Sequence, residues 1–257
     1  MSYIIPDPRF EMPELFEPNR MPVGQVEVDW SKSITNKLHS MYLWDSFHPV
    51  DITKRVPNSA IVVAGSTVEL NSGSIGRCLD WDGSVSNQVT ISDDGLPFEF
   101  MTGAAGEYSV LHRFTFTGNT SSANEFTLSA TAASGGTLDS LIIGGQSGIE
   151  DGSPHTLLVT RTEADIVAFL DGSQIGTVSA TAGRGGNHVI RYQSNIDTVE
   201  IYFGTLTSTQ VMVAGTPQKT SDRWAGQIAC SAFWQRELTP AEAISITNNY
   251  TQFLLPE

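Results

Sequence analysis

From Trp30 to Trp234 the chain is a succession of short runs of β-branched and aromatic residues, each closed by Gly, Asn, Asp or Ser, and no stretch of that span keeps a strong helical period. Twelve runs read as strands: 39–44, 60–64, 77–81, 87–91, 108–117, 125–131, 138–143, 155–162, 166–170, 174–178, 198–203 and 227–234. So many short strands require two sheets or a barrel. The clearest is YSVLHRFTFT, where Tyr108, Val110, His112, Phe114 and Phe116 point one way and Ser109, Arg113, Thr115 and Thr117 the other, as a half-buried strand requires. Leu111 alone breaks the alternation. His112 falls on the apolar side, where a hydrogen-bonded core histidine is the expected state.

Turn chemistry marks the elements further. VAFLDGSQIGTV joins two apolar runs at Asp171-Gly172-Ser173, a hairpin signal, because Gly supplies the positive φ of a tight turn. The glycines of TAGRGGN have neither a following helix nor a Lys-Ser/Thr pair and read as a loop, as do the long stretches 93–106 and 204–222. The one strong helix start is Leu238-Thr239-Pro240-Ala241-Glu242: a Thr N-cap, Pro at the first helical position and Glu three residues after the cap. Leu238 can staple onto Ala243, and a helix of about three turns is expected.

The first 25 residues differ. Prolines at 6, 8, 13, 18 and 22 exclude a helix and a central strand, yet Tyr3, Ile5, Phe10, Leu15 and Phe16 bring more apolar surface than a solvated linker needs. Residues 1–25 are therefore an extended arm that binds a partner surface, on its own domain or a neighbouring subunit, and 26–257 form one domain.

Charge and cysteines narrow the partners. A formal net charge of -14 and the lack of a Lys/Arg cluster argue against nucleic acid. No apolar stretch of about 18 residues exists for a membrane span, and MSYIIPDPRF lacks the pattern of a secretion signal, so a soluble chain is expected. Cys78 and Cys230 lack zinc spacing and are expected as buried thiols.

Three segments, in order, resemble the laminin-G-like branch of the concanavalin A-like jelly rolls. SIGRCLDWDGSVSNQVTI is similar to a "G-x-x-x-x-F-D-G" phrase followed by "V-x-I", through Gly76, Trp81, Asp82, Gly83, Val89 and Ile91. HTLLVTRTEADIVAFLDGSQIGTV resembles a strand and hairpin turning at "Y-V-D-G", through Phe169 to Gly172, with Pro154-His155 where that family often has Trp-His. DRWAGQIACSAFWQRELTPAEAISI resembles an ending "F-x-G-x-I-x-x-x-x-I-W-x-R-A-L-S-x-x-E-I", through Trp224, Gly226, Ile228, Phe233, Trp234, Arg236, Leu238 and Glu242. The resemblance implies an all-β, two-sheet antiparallel jelly-roll sandwich with a short C-terminal helix covering part of it.

A narrower resemblance is to laminin-G-like proteins of tailed-phage virions. Asp29, Trp30, Ser31, Ile34, Thr35 and Leu38 match their "D-W-S-N-P-L-T-x-G-L" opening, and Asn249, Tyr250, Gln252 and Phe253 their "N-P-Y-Q-x-F" tails. It implies a non-enzymatic virion surface protein, assembled in the host cytoplasm in several copies, with capsid or tail subunits as partners and cell-surface glycans as a further ligand. The alternatives are a free carbohydrate-binding or adhesion module and, third, a glycoside hydrolase.

Hydrolysis of a glycoside by retention needs two carboxyl groups about 5 Å apart. The E-x-D-x-x-E phrase of jelly-roll glucanases is missing, Glu163-Ala164-Asp165 and the 197–200 stretch lack its third acid, and neither G-x-S-x-G nor H-E-x-x-H occurs. No catalytic residue is therefore assigned. For glycans, Trp44, Tyr192 and Trp224 are candidate stacking rings, and Asp82, Asp93, Asp94 and Asp222 are candidate calcium ligands, calcium being the one cofactor considered. Each has a structural alternative in a core or a turn, which leaves the glycan-binding residues and any metal site unassigned.

Overall fold

A computed structural model describes residues 21–22, 25–45, 51–55, 60–64, 68–73, 75–82, 88–92, 107–116, 126–133, 140–143, 151–162, 164–179, 187–194, 200–207, 210–215 and 225–256. The strands begin with β1 (Val26–Val28), β2 (Leu38–Leu43), β3 (Ala60–Ala64), β4 (Val68–Gly73), β5 (Gly76–Asp82) and β6 (Gln88–Ser92). They continue with β7 (Tyr108–Phe116), β8 (Phe126–Ala133), β9 (Ser140–Ile143), β10 (Pro154–Arg161), β11 (Asp165–Leu170) and β12 (Ser173–Ser179). The last are β13 (Asn187–Ser194), β14 (Glu200–Thr207), β15 (Gln210–Gly215), β16 (Ala225–Trp234) and β17 (Leu254–Pro256), with helix α1 (Pro240–Asn248) before β17.

One sheet runs β12-β11-β10-β7-β16-β5-β4, with β2 also paired to β16, and a second runs β3-β6-β15-β14-β13-β8-β9. Every pairing among the described strands is antiparallel, and the fold is the two-sheet jelly-roll sandwich that the resemblance implies. A two-stranded ribbon of β1 and β17 joins the two ends of the domain.

β16 is the axis of the first sheet. One of its edges pairs with β7 along almost its whole length. The other edge pairs first with β5, through residues 225–228, and then with β2, through residues 230–234. Where the partner changes, the β7 register slips between Ile228 and Cys230, leaving Ala229 as a bulge whose carbonyl accepts the Trp44 amide at 2.8 Å.

Both faces of β7 are buried, so the half-buried reading of YSVLHRFTFT is corrected. Ser109, Arg113 and Thr115 are as inaccessible as Val110 and Phe114, and the C-terminal segment meets Ser109 through Arg236 and Leu238 and Arg113 through the Tyr250 ring. Leu111 now makes sense: it joins Leu158, Phe169, Ala232 and Trp234 in an apolar cluster with Ala243, Ile246 and Tyr250. The residue that broke the alternation is the apolar one under the covering layer.

Helix α1 starts as its sequence predicts, with Pro at its first position and a full capping box between Thr239 and Glu242. It spans nine residues, somewhat under three turns. Leu238 and Ala243 are buried together, as a staple requires. The predicted hairpin is also present, with Leu170 opposite Ser173 and positive φ at Asp171 (46°) and Gly172 (81°), the signature of a type I′ turn. The Gly172 amide donates to Thr247 Oγ1 of α1 at 2.9 Å, and a Cβ at Gly172 would collide with the Asn248 side chain. Elsewhere, the loop expected over 204–222 contains the end of β14 and all of β15.

Of the proline-rich stretch, Met21 is described. It is buried to 5% exposure, its amide donates to the Ile75 carbonyl at 2.8 Å, and its Cβ lies where a side chain on Gly76 (φ 98°) would have to go. Tyr3, Ile5, Phe10, Leu15 and Phe16 lie outside the described residues. Both cysteines are buried thiols without a disulfide, and burial pushes the Cys78 pKa up to about 12.

The covering layer sets a test. Leu111→Ala should lower unfolding free energy by about 3 kcal/mol, the range for a truncated core leucine, seen as a lower urea midpoint with an unchanged slope. A loss below about 0.5 kcal/mol, the level of an ordinary surface change, would mean that this face is not packed.

Candidate functional site

The chemistry-bearing groups in the middle of the first sheet are occupied by its own core. Ser231 Oγ accepts the Trp44 indole N–H at 3.0 Å and lies 3.1 Å from His112 Nδ1. Burial pushes the His112 pKa down to about 3, so the ring stays neutral. Arg113, on the opposite face of β7, donates to Thr156 Oγ1 at 2.6 Å and lies 5.5 Å from the Tyr250 ring centre. Trp44 is thus corrected from candidate sugar platform to core residue, with no exposed surface.

A polar cluster lies at one end of β10. Asp171 Oδ1 accepts the Thr156 amide at 2.7 Å, and Oδ2 accepts from His155 Nδ1 at 2.6 Å. His155 Nε2 approaches Asp151 Oδ1 at 3.3 Å. Both ring nitrogens can donate at once only in the imidazolium. Burial of the ring works to lower its pKa, but the hydrogen bond to Asp171 and its charge, followed by those of Asp151, outweigh burial and raise it above 6.5. His155 thus ties Asp171 of the hairpin turn to Asp151 in the segment before β10.

The third cluster surrounds an exposed ring. Trp30, at 45% exposure, contrasts with the fully buried Trp44 and Trp234. It stands at a turn in which Asp29 Oδ1 accepts both the Ser31 amide at 3.0 Å and the Ser31 hydroxyl at 2.5 Å, while the Asp29 amide donates to the Phe253 carbonyl at 2.8 Å. The Arg55 guanidinium lies over its ring, 4.2 Å from the centroid, and Arg55 Nη1 donates to the Leu38 carbonyl at 2.9 Å. Arg55 is placed in turn by buried Asp51, whose carboxylate accepts the amides of Met41, Thr53 and Arg55 at 2.9, 3.0 and 3.2 Å and the Thr53 hydroxyl at 2.5 Å. His39, nearby, has its pKa lowered to about 4 by burial, which outweighs the opposing charge of Asp51.

Sequence reasoning placed Trp30 in a motif but not in a site, because nothing local announces that residues 51–55 fold back onto it. Trp224, Asp93, Asp94 and Asp222 lie outside the described residues, and of Tyr192 and Asp82 only the backbone, in β13 and β5, is described. Among the described residues no three metal-ligating side chains converge and no helix is long and apolar enough to cross a membrane.

Neither a protein-family model nor a curated protein matches the chain. Solved structures do. The binding domain of Paraclostridial Mosquitocidal Protein 1 is similar with a TM-score of 0.61 at 10% identity, over 86% of this chain and 54% of that one. The ligand binding domain of botulinum neurotoxin serotype D, solved with N-acetylneuraminic acid, is similar with a TM-score of 0.55 at 12% identity, over 84% and 51%. Domain 4 of AbnA, an extracellular arabinanase from Geobacillus stearothermophilus, solved with arabinotriose, is similar with a TM-score of 0.50 at 13% identity, over 82% and 98%. The chain thus spans about half the length of the two toxin domains and nearly all of the arabinanase domain. At such identities the likeness shows a shared fold, that of β-sandwich domains with carbohydrate-binding or receptor-binding members.

The His155 cluster predicts a pH dependence. A pKa raised on folding adds stability that is fully present below the unfolded value of about 6.5 and is lost as pH rises through the higher folded value. His155→Gln should therefore destabilise most in mildly acidic solution, with a difference from wild type that shrinks towards alkaline pH. Urea midpoints across pH 5 to 9 check this, and a difference that grows with pH would contradict it.

Proposed function

We propose that the chain is a non-catalytic recognition module that binds glycans through its sandwich domain. The observation that carries this reading is the sandwich shared, over more than four-fifths of the chain, with domains solved holding N-acetylneuraminic acid or arabinotriose. The chemistry of the residues supports it. Lectin-like sandwiches hold sugars with fixed rings and polar groups and need no proton transfer. His112 and Arg113, the groups of β7 best suited to catalysis, are committed to core hydrogen bonds. The sequence also lacks the carboxylate phrase of jelly-roll glucanases.

A second reading, placement on a virion with capsid or tail subunits as partners, rests on the sequence phrases and on the apolar arm. Met21 supplies a fixed point from which residues 1–20 would reach such a partner.

Two measurements test these readings. A glycan array probed with the whole chain, with and without calcium, should retain at least one glycan class and release no cleaved sugar. Retention of none, or the appearance of new reducing ends, would contradict the module reading. For the second reading, a chain lacking residues 1–20 should fold with an unchanged melting temperature yet fail to co-sediment with assembled particles. Full co-sedimentation of the truncated chain would overturn it.

A further inference from the structure

Trp30 and Arg55 have properties that a purely structural pair does not need. A tryptophan left 45% exposed forgoes burial of one of the largest apolar side chains, whereas Trp44 and Trp234 are fully enclosed. Its turn is pinned at Asp29, through the Phe253 carbonyl on one side and the Ser31 amide and hydroxyl on the other. Arg55 is pinned as firmly, by its amide on Asp51, by Nη1 on the Leu38 carbonyl and by its stack on the indole. The adjoining Lys54 has a φ of 59°, so the turn that presents Arg55 holds a non-glycine residue in the left-handed region.

A guanidinium carries five N–H donors in a planar fork. Among the described residues, Nη1 of Arg55 has a hydrogen-bond acceptor, while Nε and Nη2 have none. That edge is the one that pairs with a carboxylate through two parallel bonds. The surrounding charge does not cancel it: Asp51 is buried and saturated by its own loop, Asp29 is engaged by Ser31 and lies 3.7 Å from Lys32 Nζ, and His39 is neutral at physiological pH. On a chain of formal net charge -14, long-range attraction does not gather anions, so an anion held here is held by this local geometry.

We propose that Trp30 and Arg55 form a recognition site for a carboxylate-bearing sugar, a uronic acid or a sialic acid. A single acidic sugar ring offers both complementary parts at once, an apolar C–H face for the open indole surface and a carboxylate for the free edge of the guanidinium. A peptide carboxylate offers the charge without the ring. The assignment rests on the glycan-recognition reading and adds a place and a ligand class to it.

The test uses the whole chain with oligogalacturonate, its methyl ester, sialyllactose and lactose, with affinities read by calorimetry. At least one acidic sugar should bind about tenfold or more tighter than its neutral counterpart. Arg55→Lys, which keeps the charge but loses the fork and the stack, should weaken that binding by about tenfold to a hundredfold, the worth of a bidentate charged pair. Trp30→Ala should weaken it comparably and Trp30→Phe less. Wild-type melting temperatures would show that the variants fold, and bound sugar should shield Trp30 fluorescence from acrylamide.

Equal affinity for acidic and neutral sugars, unmoved by these variants, would overturn the site and leave the glycan reading standing. Binding of glutamate or acetate as tightly as the acidic sugar would overturn the sugar assignment. No binding of any of the four sugars would overturn the site, and an empty glycan array beside it would remove the broader reading too.

Discussion

A sheet whose central strand is apolar on both sides has to be covered twice, and the rest of this fold follows from how the second covering is held. β16 carries Cys230, Ala232 and Trp234 on its outer face, all inaccessible, and the layer that hides them comes from the two ends of the domain. Trp234 ties these ends together. Its indole N–H donates to the Ile34 carbonyl at 2.7 Å, across two hundred residues of chain, and its ring meets Phe253 edge to face at 6.2 Å. A buried indole N–H without an acceptor would cost about 1 to 3 kcal/mol, so the short helical turn at Ser33–Thr35 has to sit where it does. Arg236 completes the clamp, donating to the carbonyls of Asn36 and Ser33 at 2.8 and 3.2 Å while forming a two-pronged ion pair with Glu242 at the start of α1.

Ser109 shows how closely the layer is fitted. Its hydroxyl donates to the Arg236 carbonyl at 3.0 Å and accepts the Leu238 amide at 2.9 Å, so a small polar residue in mid-sheet satisfies the backbone where the chain leaves β16 for the helix. The exposed Trp30 corner depends on the same clamp. Its turn sits between β1, held by β17, and the helical turn held by Trp234 and Arg236. A rigid turn of this kind presents a ring without the entropy cost of ordering it on binding.

What the sequence made legible is what is local. The capping box, the Asp171-Gly172 turn and the alternating strands are encoded within a few residues, and each is found where it was read. β1, β4, β13, β15 and β17 fall outside the twelve runs: β1 and β17 are three residues each, VELNSG and NHVIRYQS mix apolar with polar residues, QVMVAG lies inside a stretch that reads as loop, and the strand state of all five comes from pairing with neighbours. The environments of Trp44 and Trp30 share that cause. Trp44 ends a strand and resembles a rim residue until Ser231, 187 positions away, receives its N–H. Trp30 looks like a motif residue until Arg55 folds over it. Tyr250 and Phe253, which carry part of the matched C-terminal phrase, are core residues here.

The central claim is that the C-terminal helix and the sheet beneath it form one cooperative unit closed by Trp234. Native-state amide hydrogen exchange under increasing denaturant tests it most directly. The protected amides of α1 should open with the same free energy and denaturant slope as those of β7 and β16, because the sheet cannot keep its outer face without its cover. If α1 opened at a free energy several kcal/mol lower while β7 and β16 stayed protected, the helix would be an appendage and the claim of a single cooperative unit would be wrong.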